Sequence, residues 1–407
     1  MTTDKRQPVT RNAKRGKIAA LLEVLGVSAK LGLTSFGGPI AHLGYFHNEY
    51  VRRRKWMDER SYADLVALCQ FLPGPASSQV GIGIGIVRAG LPGGIAAWLG
   101  FTLPSVVALT LFALLLQGFD VGGSGWIHGL KIVAVAIVAH AVLGMAQKLA
   151  PDRERAAIVA FAVVVTLLWP TVYGQLLAMI AAAGAGLRLY RDKKQEPGEG
   201  FPIAISRGVS VICLVLFFGL LVALPLWRNA TGGESGWLAM TDVFYRSGSL
   251  VFGGGHVVLP LLEREVVPLG WIGKEDFMAG YGAAQAVPGP LFTFASYVGA
   301  ATAGVAGAIV ATLAIFLPAF LLVVGTLPFW NGLRNHPRAQ GALAGVNAAV
   351  VGILLGALYD PLWTTAIWKP ADFVLAVILF VMLACWKLPP WTVVLAGAAG
   401  GIAISYL

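Results

Sequence analysis

Thirteen apolar runs, separated by short polar or basic segments, make up most of the chain. They lie at about residues 18–44, 62–89, 93–117, 127–149, 156–170, 171–188, 207–227, 236–262, 277–299, 302–328, 341–359, 372–386 and 391–407. Within each run the apolar residues are continuous and do not alternate with polar ones, which favours helices over strands. The pattern therefore predicts an all-α polytopic membrane protein.

The motifs along these runs occur twice in the same order. An offset of 216 places Phe36-Gly37-Gly38 on Phe252-Gly253-Gly254, and an offset of 215 places Pro73-Gly74-Pro75 on Pro288-Gly289-Pro290. Ordered matches of this kind extend over about 70 residues, so they indicate an internal duplication. The run at 207–227 has no counterpart in the first half.

The duplication divides the chain into four parts. They are a basic cytoplasmic arm at 1–17, a first repeat at 18–192, a linker at 193–233 that holds one transmembrane helix, and a second repeat at 234–407. One linker helix between two repeats that each cross an even number of times inverts the second repeat in the membrane. The loop charges agree with inversion, because the loop at 52–60 is strongly basic and its counterpart at 263–276 is net negative.

Two topologies stay open at this stage. Basic residues flank the run at 18–44 on both sides, which favours a run that enters the membrane and returns. The Pro-Gly-Pro runs could return in the same way. The alternative is thirteen ordinary crossings with one loop that breaks the charge rule. The basic arm places the N-terminus in the cytoplasm. Both topologies have an odd number of membrane crossings, so both place the C-terminus outside.

Composition narrows the functional class. Charged residues make up only 12% of the chain and hydrophobic residues 57%, whereas a soluble domain has about 25% charged residues. The net charge of +10 comes largely from basic loops, so it indicates orientation in a membrane and not nucleic acid binding. The three cysteines have no metal-ligand spacing, and no nucleophile–base set or cofactor loop is apparent. We expect a protein that is not an enzyme and uses no metal or cofactor.

The Pro-Gly-Pro motifs predict broken helices and a candidate binding site. Proline removes a backbone donor and clashes with the preceding turn, so neither run forms one continuous helix. A matched pair of such breaks in two halves is typical of a transporter binding site. A helix that restarts after the break offers free N–H groups to an anion. The candidate residues at the two breaks are Gln70, Gly74, Ser77, Ser78, Gln285, Gly289, Thr293 and Ser296.

Residues near the Phe-Gly-Gly motifs form the second part of the predicted site. Lys30 and Arg246 have equivalent positions in apolar runs, where a cation costs about 2.5–3.5 kcal/mol. We expect them either to bind an anion, or to reach the membrane interface or contact a buried carbonyl. The turn residues that complete the site are Gly37, Gly38, Gly253, Gly254 and His256.

Two alternatives give some of these polar residues a purely structural role. The Ser and Thr hydroxyls could donate to carbonyls of their own helices, as these side chains often do. Glu49 and Glu265, which follow the Phe-Gly-Gly motifs, are expected to pair with nearby arginines.

The segment at 32–39, the segment at 70–75 and their second copies at 252–255 and 285–290 resemble the chromate ion transporter (CHR) family. The resemblance covers nearly the whole chain and includes the long two-domain form with an inverted second half. It implies a secondary transporter of the bacterial inner membrane that exports chromate and confers chromate resistance. It also implies sulfate as a related substrate.

The residues do not separate chromate from sulfate, because both are tetrahedral dianions. A sulfate or molybdate importer and an anion channel on the same scaffold therefore stay open as alternatives. The expected partners are chromate, sulfate and membrane lipid, with no nucleic acid. The coupling ion and a homodimeric assembly are left open.

Overall fold

A computed structural model describes residues 9–118, 125–189, 205–232, 236–252, 255–330 and 337–406. The helices of the first half are α1 Val9–Thr34, α2 Gly38–Phe46, α3 Glu59–Phe71, α4 Ala76–Gly118, α5 Gly125–Leu149, α6 Arg153–Leu168 and α7 Val172–Leu189. Then follow α8 Arg207–Ala230, α9 Trp237–Leu250, α10 Val258–Val266, α11 Lys274–Ala284, α12 Phe294–Thr326, α13 Pro337–Ala357, α14 Pro370–Ala384 and α15 Pro390–Ser405. The seven helices before α8 and the seven after it correspond in order.

The all-α prediction is confirmed. Among the described residues, five helical stretches are long and apolar enough to cross a membrane: 76–116, 125–149, 207–230, 291–329 and 338–366. Two further apolar helices, α14 and α15, are shorter. The chain is therefore a multi-pass membrane protein. Its first helix begins at Val9, inside the predicted arm, of which residues 1–8 lie outside the described ranges.

Two of the long helical stretches are helical hairpins. The backbone of α4 leaves helical geometry at Ala89–Gly90, and that of α12 does the same at Ala303–Gly304. Both glycines have positive φ, 70° and 61°, which a side chain disfavours. A Cβ on Gly85 would overlap the carbonyl of Gly93, although eight residues of straight helix span about 12 Å. The chain therefore reverses, and a short arm at 76–88 packs against a long arm at 91–118.

The two repeats exchange helices. Helix α5 of the first repeat packs against α14 and α15 of the second, and α13 packs against α6 and α7 of the first. A Cβ on Gly129 would overlap the carbonyl of Gly397, and a Cβ on Gly345 would overlap that of Ala182. Gly129 and Gly345 are equivalent positions, so both exchanges use the same glycine contact. Small residues let backbones approach closely where lipid gives no hydrophobic drive for association.

Helix α8 lies between the repeats in the chain and packs against α9 and α12. Its outer side exposes large apolar side chains, including Val215 and Phe218. Ser210 is a buried polar residue of this helix and donates to the carbonyl of Val324 at 2.9 Å. An apolar exposed face of this kind fits contact with lipid.

Candidate functional site

Each Pro-Gly-Pro break reaches into the opposite repeat. The amide of Gly74 donates to the carbonyl of Val251 at 2.6 Å, and the amide of Gly289 donates to the carbonyl of Ser35 at 2.9 Å. Ser35 and Val251 are equivalent residues, each directly before a Phe-Gly-Gly motif. We call the break at 72–75 the first tip and the break at 287–290 the second tip. The two cross-repeat hydrogen bonds are therefore reciprocal.

Both tip glycines are required by local geometry. Gly74 has φ 114° and Gly289 has φ 100°, a region that residues with a Cβ rarely adopt. A Cβ on Gly74 would lie 3.1 Å from Nε2 of Gln79, which donates to the Pro73 carbonyl at 2.7 Å. A Cβ on Gly289 would overlap Oγ of Ser105, which donates to the Pro288 carbonyl. Side chains from the long and short arms thus hold both tips in place.

Buried polar groups that lack partners lie directly after the first tip, on α2, and at Ser35. Oγ of Ser77 lies 3.3 Å from Nδ1 of His42 on α2. Among the described residues, Nε2 of His42, Oγ of Ser78 and Oγ of Ser35 have no hydrogen-bond partner, although all three atoms are buried. An unpaired buried polar group costs about 1–3 kcal/mol. Such groups mark a place where a ligand or water would be stabilised.

The second tip has few free polar groups. Thr293 donates to the Pro290 carbonyl and Ser296 to the Thr293 carbonyl, both at 2.7 Å. The expectation that hydroxyls bond to their own helix is thus met at these two residues. Nδ1 of His256 lies 2.8 Å from the Tyr281 hydroxyl. Half-buried Gln285 keeps an unpartnered Nε2 among the described residues. Its counterpart Gln70 is exposed at the end of α3.

Arg246 lies at the centre of a buried charge cluster. Its guanidinium donates to Asp242 at 2.8 and 3.0 Å and to Glu265 at 2.6 and 3.2 Å. Arg228 of α8 also donates to Asp242, at 3.2 Å. Two arginines therefore face two carboxylates, and the cluster is neutral. The predicted pairing of Glu265 with an arginine is confirmed.

In the first repeat, Lys30 forms the equivalent ion pair with Glu49, and this pair is weaker. Its Nζ lies 4.0 Å from Glu49, and its side chain is 56% exposed. Glu49 also accepts from Arg54 at 2.8 Å and from Arg53 at 3.1 Å, which confirms its predicted pairing. Burial would raise the pKa of Glu49, but the hydrogen bonds from Arg54 and Arg53 outweigh burial and lower it. Binding of substrate by Lys30 and Arg246 stays a prediction.

The glycines of the first Phe-Gly-Gly motif begin a helix. Gly37 and Gly38 have φ values of 99° and 77°, and α2 starts at Gly38 with Gly37 as its N-cap. A Cβ on Gly38 would contact nothing within 4 Å among the described residues. Positive φ, and not crowding, therefore explains this glycine. The predicted site residues Gly253 and Gly254 lie outside the described residues.

Sequence reasoning missed four residues of this region. Ser35, His42 and Ser105 lie at the tips, and Asp242 is the buried partner of Arg246. A signal for Ser35 and His42 existed, because their counterparts in the second repeat are both valines, Val251 and Val258. Asp242 stands four residues before Arg246, the spacing of an ion pair on one helix face.

Comparisons with known proteins agree with the repeats. The sequence model of the chromate transporter family matches the chain twice, at residues 22–187 and 238–402. A probable chromate transport protein of Synechococcus elongatus is 29% identical over 92% of this chain and 93% of that protein. The chromate transport protein of Pseudomonas aeruginosa is 28% identical over 83% of this chain and 80% of its own length. The uncharacterized transporter YwrB of Bacillus subtilis is 39% identical over 29% of this chain and 60% of its own length.

The two family matches lie on either side of α8, so the predicted duplication is confirmed. The exchange of α5 and α13 and the reciprocal tip hydrogen bonds relate the same two halves in space. The matches cover well over half of the chain. The chain is a membrane transport protein that belongs to the chromate transporter family.

Proposed function

We propose that this protein exports chromate from the cytoplasm across the bacterial inner membrane and thereby confers chromate resistance. The observation that carries the mechanism is the reciprocal contact of the tips, from Gly74 to Val251 and from Gly289 to Ser35. Each tip belongs to one repeat and is held by the other. A relative movement of the repeats would break or exchange both contacts together, as alternating access in a secondary transporter requires.

The proposal includes two repeats in opposite orientation, with the N-terminus in the cytoplasm and the C-terminus outside. Helix α8 is an apolar stretch of 24 residues, long enough to cross the membrane once between the repeats. A single extra crossing inverts whatever follows it when the preceding repeat crosses an even number of times. The basic loop at 52–60 and the net negative loop at 263–276 favour the same arrangement.

The proposed substrate is a tetrahedral oxyanion bound near the tips. Helices that restart after the breaks present free N–H groups, and the adjacent hydroxyls and glycines allow close approach of an anion. The residues of the proposed site are those predicted above. In the first repeat they are Lys30, Gly37, Gly38, Gln70, Gly74, Ser77 and Ser78. In the second repeat they are Arg246, Gly253, Gly254, His256, Gln285, Gly289, Thr293 and Ser296. Relatives named as chromate transport proteins favour chromate over other tetrahedral oxyanions.

The test is uptake of radiolabelled chromate into energised everted vesicles, with vesicles that lack the protein as the baseline. We expect saturable uptake above that baseline and competition by excess sulfate. Gly289→Val, which places a side chain against Ser105, should abolish uptake. Gly144→Ala, on a glycine with open space beside it, should leave uptake unchanged.

Two results would contradict chromate export, and a third would contradict the role of the tips. Absence of chromate uptake, together with sulfate uptake in right-side-out vesicles, would indicate a sulfate importer. A current that does not saturate and needs no counter-substrate would indicate a channel. Uptake in everted vesicles that Gly289→Val leaves intact would remove the tips from the mechanism.

A further inference from the structure

The polar groups near the tips are distributed unequally between the repeats. Equivalent residues are polar in the first repeat and apolar in the second: Ser35 and Val251, His42 and Val258, Ser77 and Phe292, Gln79 and Phe294. A fifth equivalent pair, Ser78 and Thr293, carries a hydroxyl in both repeats. A site shared equally between the tips would not need this difference.

The hydrogen bonds follow the same division. Thr293 and Ser296 of the second repeat already donate to carbonyls of their own chain segment. Ser35 and Ser78 of the first repeat have hydroxyls without a partner among the described residues, and both side chains are at most 2% exposed. The free hydrogen-bonding capacity of the two tips is therefore concentrated beside the first.

Ser35, His42 and Ser77 form one contiguous cluster, and Ser78 follows Ser77 directly in the chain. The His42 ring contacts Oγ of Ser77 at 3.3 Å and lies beside the Ser35 backbone. It also packs edge-on against Phe101, with ring centroids 5.3 Å apart. Ser35 in turn accepts the amide of Gly289 from the second tip. The cluster thus begins directly after the first tip, at Ser77, and extends through His42 to Ser35, whose carbonyl accepts from the second tip.

Two helices begin at this cluster. Helix α2 has nine residues and starts at Gly38, and the short arm of α4 starts at Ala76, directly before Ser77. The start of a helix carries roughly half a positive charge and free N–H groups. Together with buried hydroxyl and imidazole donors, two helix starts provide favourable surroundings for an anion without a formal cation.

We propose that one tetrahedral oxyanion binds at the first tip, with Ser35, His42 and Ser78 as hydrogen-bond donors and no equivalent site at the second tip. This inference rests on the proposed oxyanion transport and reduces the binding site proposed above to its part in the first repeat. If the Ser77 hydroxyl donates to Nδ1 of His42, the ring proton is on Nε2, and that atom donates to the anion. His42 then binds as a neutral group, and no charge is buried when the site is empty.

The test measures binding directly, so that it does not depend on the direction of transport. Purified full-length protein in detergent is dialysed to equilibrium against radiolabelled chromate and, separately, against radiolabelled sulfate. Ser35→Ala, Ser78→Ala and His42→Leu should each raise the dissociation constant about tenfold, as expected for one lost hydrogen bond to a charged ligand. His42→Gln keeps a donor close to the position of Nε2 and should retain most of the affinity.

Matched variants separate the site from general damage. Ser249→Ala removes a buried hydroxyl that donates to its own helix at Tyr245, and it should bind like the wild type. Thr293→Val removes the equivalent of Ser78 at the second tip and should lose less affinity than Ser78→Ala. Thermal unfolding of each variant without ligand shows which ones are folded, and only folded variants are compared.

The outcomes distinguish the two proposals. If the wild type binds neither anion, oxyanion transport itself is contradicted. If the wild type binds but Ser78→Ala and His42→Leu bind equally well, transport stands and this site is wrong. A larger loss in Thr293→Val than in Ser78→Ala would place the anion at the second tip. Equal weakening for chromate and sulfate would support one shared site, and weakening for sulfate alone would contradict a chromate site here.

Discussion

Replacement of Arg246 should destabilise the protein far more than replacement of its counterpart Lys30. The Arg246 side chain is 19% exposed and makes four hydrogen bonds to Asp242 and Glu265, of which Asp242 is only 1% exposed. Arg246→Met keeps the apolar stem but leaves the buried Asp242 and the 13% exposed Glu265 with one arginine. Loss of one partner from a buried ion pair costs about 3–5 kcal/mol.

Lys30→Met provides the matched comparison, because the position is equivalent but the Lys30 side chain is exposed, and its partner Glu49 keeps hydrogen bonds from Arg53 and Arg54. The Lys30 side chain is 56% exposed and its Nζ is 4.0 Å from Glu49. Exposed pairs contribute about 0–1 kcal/mol. The two variants should therefore differ by roughly 2–5 kcal/mol, the range left by these two costs.

The assay is unfolding of purified protein in detergent micelles by titration with a denaturing detergent. A double variant, Arg246→Met with Glu265→Gln, tests the charge argument. It leaves Asp242 with Arg228 as a neutral pair, so it should be more stable than Arg246→Met alone. Equal stability of Arg246→Met and Lys30→Met, or a double variant that is less stable than the single one, would refute the reasoning.

Glycine substitutions provide further predictions. Gly289→Ala should be less stable than Gly304→Ala by about 1 kcal/mol or more in the same titration, because both have positive φ but only Gly289 also overlaps Ser105. A smaller cost at Gly289 would contradict the tip geometry. On α5, Gly129→Ala should lower the melting temperature, because its Cβ meets the Gly397 carbonyl, whereas Gly144→Ala should not. Similar melting temperatures for these two variants would contradict the helix exchange.

Much of the fold follows from local rules and was predicted from the sequence. Continuous apolar runs predicted the helices, and the runs at 62–89 and 93–117 already bracket the reversal at Ala89–Gly90. The break after α3 follows from proline, which cannot continue the helix. The exchange of α5 and α13 could not be predicted in this way, because the glycine faces do not specify which helix they contact.

The positions of both helix breaks were predicted, but the contacts around them were not. The Pro-Gly-Pro motifs marked both tips, yet no sequence pattern distinguishes a free hydroxyl at Ser78 from a self-bonded one at Thr293. That difference depends on backbone geometry, since Thr293 lies in a 3-10 turn and Ser78 in the first turn of an α-helix. His42 was missed because its role depends on contact with Ser77, 35 residues away in sequence.

The exchange of helices between the repeats also governs how the protein is assembled during translation. Helix α5 ends at Leu149, and α15, which carries Gly397, begins only at Pro390. At about 5–20 residues per second, a ribosome needs roughly 10–50 s to synthesise the intervening chain. During that interval the glycine face around Gly129 has no helix to pack against. The packing of the first repeat therefore stays incomplete in the bilayer during translation, and insertion of the last two helices completes it.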